Sequence, residues 1–174
     1  IVFLSDQGSS FLNQYGRNLS EEGLKIICNA RWPGKIPAGI RVDSPWVHTD
    51  LFTTFAYVAG AEIPNDRVID GRDVWPLFQG KESSEERIFH WTFENKDGIR
   101  KGDWKLLMED DEVQGLYNLA SDSQETRDLA GKEQELVADL QQMHRIWLRQ
   151  CKTGQTSTPK SGNTYPVADH QYGY

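Results

Sequence analysis

Ile1-Val2-Phe3-Leu4-Ser5-Asp6-Gln7-Gly8 opens the chain with four apolar residues in a row and then turns polar at once. An apolar run without alternation is the pattern of a strand buried on both faces, as in the largely parallel sheet of an α/β domain. In open α/β sheets the functional side chains gather just beyond the carboxyl ends of the strands. Asp6 and Gln7 occupy that place. A carboxylate beside an amide oxygen is a pair of hard donors suited to Ca²⁺ or Mg²⁺. An Asp two residues ahead of a Gly is also a common turn or cap residue, so the pair alone is a weak signal. A chain that starts inside such a strand, without Met or a basic-then-apolar leader, is expected to be a fragment or a truncated product.

Outward from this strand, residues 5–23 form a polar stretch with Gly8, Gly16 and Gly23, too long for an idle connector. Arg17, Glu21, Glu22 and Lys25 lie in or beside it and can reach the end of the first strand, although mixed charges are usually a solvated loop. Leu24 to Ala30 reads as a second strand, and 32–39, rich in Pro and Gly, as a loop. Thr49 or Asp50 can cap a helix running through Val58, with Leu51, Phe52, Phe55 and Val58 on one face and Gly60 as its stop. Val74 to Phe78 suggests a short helical segment, and Glu82 to Arg87 a charged surface stretch. Short β runs follow at 87–93, 97–101, 103–108 and 114–118, with turns expected at Lys96-Asp97-Gly98 and Lys101-Gly102-Asp103. Leu136, Leu140, Met143 and Trp147 recur at helical spacing within 132–150, a stripe that should pack on the small antiparallel sheet. The chain thus divides into two halves of different character, 1–85 and 86–149, the second a small α+β unit, with 150–174 as an irregular tail.

Composition narrows the function. The 174 residues are 37% hydrophobic and 26% charged, which is neither a disordered nor a membrane profile. A net charge of −7 argues against nucleic acid as a partner, because a duplex binder needs clustered cations. No apolar run approaches the ~20 residues of a membrane helix. Cys28 and Cys151 make no disulfide framework and have no neighbours at metal-ligand spacing. His48 reads as a helix-boundary residue, and His90 as a partly buried histidine satisfied by its surroundings rather than a base. No phosphate loop, no G-x-S-x-G elbow and no complete catalytic set appears.

The motifs, taken in chain order, resemble those of the formylglycine-dependent, arylsulfatase-like sulfatases of the alkaline-phosphatase superfamily. Ser5-Asp6-Gln7-Gly8 is similar to that family's S-D-N-G, and Gly16-Arg17 with Glu21-Glu22-Gly23-Leu24-Lys25-Ile26 to its G-K…E-E-G-V-R-V stretch. Arg31-Trp32-Pro33-Gly34-Lys35-Ile36 is close to R-W-P-G-K-I, and Asp50-Leu51-Phe52-Thr53-Thr54 resembles D-L-x-P-T. Asp70-Gly71 with Pro76-Leu77-Phe78-Gln79-Gly80 is similar to D-G…P-L-L-x-G. Ile99-Arg100-Lys101-Gly102-Asp103-Trp104-Lys105-Leu106 resembles V-R-x-G-x-W-K-L. Leu116-Tyr117-Asn118-Leu119, Asp122, Glu125 and Leu129-Ala130 complete the series, which covers roughly residues 1–130.

The resemblance implies the C-terminal part of an alkaline-phosphatase-like α/β sandwich, followed by a small antiparallel sheet packed with a C-terminal helix. It also implies hydrolysis of sulfate esters, on a sulfated small molecule or glycan, with one divalent cation, Ca²⁺ or Mg²⁺. Asp6 would be one metal ligand and Gln7 a second, on a side chain one methylene longer than the usual Asn. Arg17 falls where the family places a sulfate-binding lysine, and a guanidinium also binds oxyanions. The family's nucleophile motif, C/S-x-P-x-R, has no counterpart here, and Cys28-Asn29-Ala30-Arg31 does not replace it. No catalytic residue is therefore assigned, and the chain alone is expected to be inactive. A phosphodiesterase or phosphonate hydrolase of the same superfamily would share the metal frame. A non-catalytic, sulfatase-like binding module or relic is the alternative outside enzymology. Secretion, the periplasm or the lysosome is the location that family analogy suggests.

Overall fold

Four short strands in succession build one antiparallel sheet, as the short β runs beyond residue 87 require. We label the strands in chain order: β1 Val2–Leu4, β2 Cys28–Ala30, β3 Ile88–Phe93, β4 Lys96–Lys101, β5 Trp104–Glu109 and β6 Glu112–Asn118. The helices are α1 Glu21–Leu24, α2 Asp50–Ala59, α3 Trp75–Phe78 and α4 Gln134–Lys152. The computed structural model describes residues 1–8, 19–81 and 86–152. The described residues divide into one unit, within Ile1–Ala30 and Ile88–Ile146, and a second, within Arg31–Arg87 together with the end of α4 from Trp147.

In the first unit β3, β4, β5 and β6 form an antiparallel meander. Its turns need left-handed backbone, supplied at Glu94, Gly102, Asp110 and Asp111. The turn expected at Lys96-Asp97-Gly98 is displaced: Glu94-Asn95 makes it, and residues 96–98 lie inside β4. Gly98 stands between Trp91 and Leu107 on the neighbouring strands, whose bulk flanks a position that looked like a turn.

Register explains how the sheet is covered. His90, Ile99, Leu106 and Leu116 are partners in one row across the four strands. On that face Leu140 of α4 joins Ile99, Leu106, Met108 and Leu116 in a core, with Leu136, Val137 and Met143 packed round it. Each of these large apolar side chains contributes roughly 1.5–3 kcal/mol by leaving water, and the expected helix-on-sheet packing is observed. The adjacent row is Phe89, Arg100, Lys105 and Tyr117, on the opposite face because side chains alternate. That face is covered too, by Leu19 above Gly98 and by α1.

β1 and β2 pair antiparallel, Val2 with Ala30 and Leu4 with Cys28. The parallel pairing expected for the first strand is absent among the described residues, and so is its full burial: Ile1 is 90% and Phe3 65% exposed. The second strand is also shorter than the 24–30 reading. Ser20 caps a helical turn over Glu21–Leu24, with two acidic residues against its positive end, before the chain becomes extended.

The second unit holds α2 and α3. Gly60 ends α2 in the left-handed conformation, as expected. The apolar face of α2 is not the buried one: Phe52 and Phe55 are about half exposed, while Asp50, Thr53 and Thr54 are buried. The polar side is inward because it satisfies loop backbone. Thr53 Oγ1 donates to Gly71 O at 2.9 Å, and Thr54 Oγ1 accepts from Val74 N at 2.9 Å. Asp50 accepts from the Val47 and Arg72 amides and from Arg87 through both carboxylate oxygens at 2.7 Å. Ring contacts between Trp32 and Trp75, and between Trp46 and Phe78, hold the proline-rich segment against α3.

Candidate functional site

The loop after β1 is where the sequence places the chemistry, and the fold holds its backbone from both sides. Ser5 N donates to Ile27 O at 3.0 Å and Ser5 Oγ accepts from Ile27 N at 3.2 Å. Gly8 N donates to Gly23 O at 2.9 Å. A Cβ on residue 8 would run into the carbonyl oxygens of Glu22 and Gly23, so only glycine allows this approach. Asp6 and Gln7 lie between the two fastenings with exposed side chains.

Both donors are hard oxygens, which suits Ca²⁺ or Mg²⁺, and two side chains are only part of the six or more oxygens such a cation takes. Among the described residues no group of three or more His, Cys, Asp and Glu side chains could hold a metal. Arg17, the expected sulfate contact, lies outside the described residues.

Behind the loop sits a feature that sequence reasoning missed. Glu21, read as part of a solvated stretch, is 4% exposed, and Lys105 is fully buried. Lys105 Nζ lies 2.9 Å from Glu21 Oε1 and 2.8 Å from Glu125 Oε1. Glu125 Oε2 accepts from Glu21 N at 2.7 Å, and Arg100 and Lys25 reach the other Glu21 oxygen at 3.5 and 3.3 Å. Lys105 Nζ also stands 5.7 Å from the centre of the Trp91 ring, within cation–π range. Burial raises the Glu21 pKa, but the attraction of Lys105, with Arg100 and Lys25, outweighs it and holds the carboxyl below its ordinary range. The only hint in the sequence was a lysine set between Trp104 and Leu106 in a strand whose other members are mostly apolar.

His90 is 2% exposed, deeper than the partly buried residue expected, and His144 was not singled out from sequence. Their Nδ1 atoms are 3.1 Å apart, and His144 Nε2 lies 3.2 Å from Asp97 Oδ1. One Nδ1 carries the hydrogen shared between the rings, the tautomers setting its direction, and burial lowers the pKa of both histidines. Burial and the neighbouring His144 push His90 down to about 3. His48 is exposed. Burial raises the thiol pKa of both Cys28 and Cys151, so neither is an activated nucleophile.

A family model described as N-sulphoglucosamine sulphohydrolase, C-terminal, matches residues 14–152. The chain belongs to this sulfatase family. Human steryl-sulfatase is 42% identical over 87 residues, covering 48% of this chain and 15% of that protein. The crystal structure of Ps i-CgsB superposes with a TM-score of 0.72 at 28% identity, over 84% of this chain and 36% of the other. BT4656, solved with D-glucosamine-2-N,6-O-disulfate, superposes with a TM-score of 0.67 at 25% identity, over 90% of this chain and 35% of the other. The expected sulfatase membership and alkaline-phosphatase-like fold therefore hold. The chain spans only a minor part of each of these proteins. Among the described residues, no helix of this sulfatase chain is long and apolar enough to cross a membrane.

Proposed function

We propose that the chain is the C-terminal portion of a sulfatase that hydrolyses sulfate esters, and that it supplies part of the cation and sulfate site but not the nucleophile. The observation that carries this reading is the family match over 14–152, joined to a Ser5-Asp6-Gln7-Gly8 loop held at the carboxyl end of a strand. Asp6 would give a carboxylate oxygen and Gln7 an amide oxygen to one divalent cation, Ca²⁺ or Mg²⁺. When bound, that cation supplies positive charge to the sulfate ester oxygens. Arg17 would contact the sulfate through its guanidinium. The Gly8 and Ser5 hydrogen bonds orient the donors before substrate arrives, which lowers the cost of assembling the site. The substrate would be a sulfated small molecule or glycan, a class to which the disulfated glucosamine bound by BT4656 also belongs. Residues 1–85 would close the catalytic α/β domain, and 86–149 would form the smaller subdomain beside it.

The test is sulfate release from an aryl sulfate and from a sulfated glucosamine by the full-length polypeptide that carries this chain, with Asp6→Ala and Arg17→Ala alongside. We expect release from the wild type and a loss of 100-fold or more in Asp6→Ala. Hydrolysis of a phosphonate monoester such as p-nitrophenyl phenylphosphonate, in place of either sulfate, would transfer the reading to a phosphonate hydrolase. No turnover of any ester would leave a binding module.

A further inference from the structure

We propose that Lys105 is a positioning residue for the cation site that begins at Asp6 and Gln7, an inference that rests on the sulfatase reading above. Lys105 lies on β5, in the four-stranded sheet, and Asp6 follows β1, far away in sequence. The connection runs through α1. Lys105 and Glu125 together grip Glu21 by its side chain and by its backbone amide, at 2.9 Å and 2.7 Å respectively. Two residues on, the Gly23 carbonyl receives the Gly8 amide, and Ile27 exchanges two hydrogen bonds with Ser5. Asp6 and Gln7 are thus suspended between two fastenings, both on the 23–27 stretch whose leading end Lys105 holds.

There is no slack in this train. The residue 8 backbone touches the Glu22 and Gly23 carbonyls closely enough to exclude a Cβ, so a shift of α1 is passed to the loop. A site of this kind tolerates errors of only about 0.5 Å. The use of ions also calls for a reason beyond stability, because apolar groups of similar volume usually stabilise a buried position as well or better. The opposite face of the same sheet is covered mainly by an apolar core, with His90 and His144 as its polar exception. Fixed orientation of α1, set by a charge with a defined partner geometry, is what the ion pairs add.

The experiment is a calorimetric titration of the full-length polypeptide with Ca²⁺, for the wild type, Asp6→Asn, Lys105→Met, Lys105→Arg, Glu125→Gln and Arg87→Met. Circular dichroism fixes a temperature at which each is folded. Arg87→Met breaks a separate buried ion pair, with Asp50, and so controls for a general loss of stability. We expect Lys105→Met to weaken Ca²⁺ binding tenfold or more and Lys105→Arg to recover part of that loss, with Arg87→Met within twofold of wild type. Wild-type affinity in Lys105→Met, or an equal loss in Arg87→Met, would overturn the inference. Should Lys105→Met not fold, Glu125→Gln decides, with a loss of about threefold expected and unchanged binding counting against us. If Asp6→Asn binds as tightly as wild type, or the wild type binds no Ca²⁺, the sulfatase-site reading itself fails and the inference falls with it. Loss in Asp6→Asn alone would sink only the role of Lys105.

Discussion

The two faces of the four-stranded sheet are buried by opposite means. Toward α4 the strands present Ile99, Leu106 and Leu116, and the helix answers with Leu140. Toward α1 they present Arg100 and Lys105, answered by Glu21 and Glu125. The first kind of contact is non-directional and tolerates sliding, because apolar area counts wherever it is placed. The second fixes one geometry, since a misplaced carboxylate leaves an ammonium stranded away from water. The difference teaches which face holds the subdomain together and which sets where a neighbouring segment lies.

Breaking the ionic face should give the largest effect. Lys105→Met leaves Glu21 and Glu125 facing one another without their shared cation, and removing one partner of a buried pair costs about 3–5 kcal/mol. Urea denaturation of the 174-residue chain should show a loss of this size. A change under about 1 kcal/mol would mean that water reaches the cluster and that the two faces differ less than their partners suggest.

This contrast also separates what was legible in the sequence from what was not. The α4 stripe and the β runs announced themselves because apolar periodicity encodes both an element and its inner face. Lys105 and Glu21 gave no such signal, for a charged residue in a strand or loop reads as solvated until its partner, here 84 positions away, is known. Asp6 and Gln7 were found by their place after an apolar run and by motif resemblance. Any partners for the cation proposed there would lie on segments distant in sequence, which neither periodicity nor a local motif records. The α2 face misled for the opposite reason. Its Thr and Asp side chains were needed to satisfy the Gly71, Arg72 and Val74 backbone, a demand that periodicity does not record.

One polar element lies in the apolar row, and pH should expose it. His90 stands beside Ile99 and is held neutral, with its pKa pushed down to about 3 by burial and by His144. The unfolded chain binds a proton at His90 near its ordinary value of 6.5, so acid favours unfolding. Stability from this group should be whole above about pH 6.5 and fall steadily as pH drops toward 3. Melting temperatures between pH 7.5 and 4 should therefore slope more steeply for the wild type than for His90→Asn, whose amide keeps a polar atom near Nδ1. Parallel slopes would show that His90 charges without unfolding.

The smallest effect is expected where an apolar stripe has no cover. Phe52 and Phe55 of α2 are 51% and 48% exposed, unlike Leu140, which is wholly buried. Phe55→Ser should change the stability of the 174-residue chain by less than about 0.5 kcal/mol, the usual range for surface substitutions. The same change in the full-length polypeptide should cost about 3 kcal/mol if further chain lies over this face, as truncation of a buried Phe does. Matched urea midpoints of the two polypeptides, each with and without the substitution, measure the difference. A loss above about 2 kcal/mol in the shorter chain would mean that its own residues cover α2 in solution. The stripe would then join the α4 face as an ordinary core contact. An equal, negligible change in both would make Phe52 and Phe55 a surface reserved for a partner, since an aromatic stripe exposed in both polypeptides is a feature of binding faces.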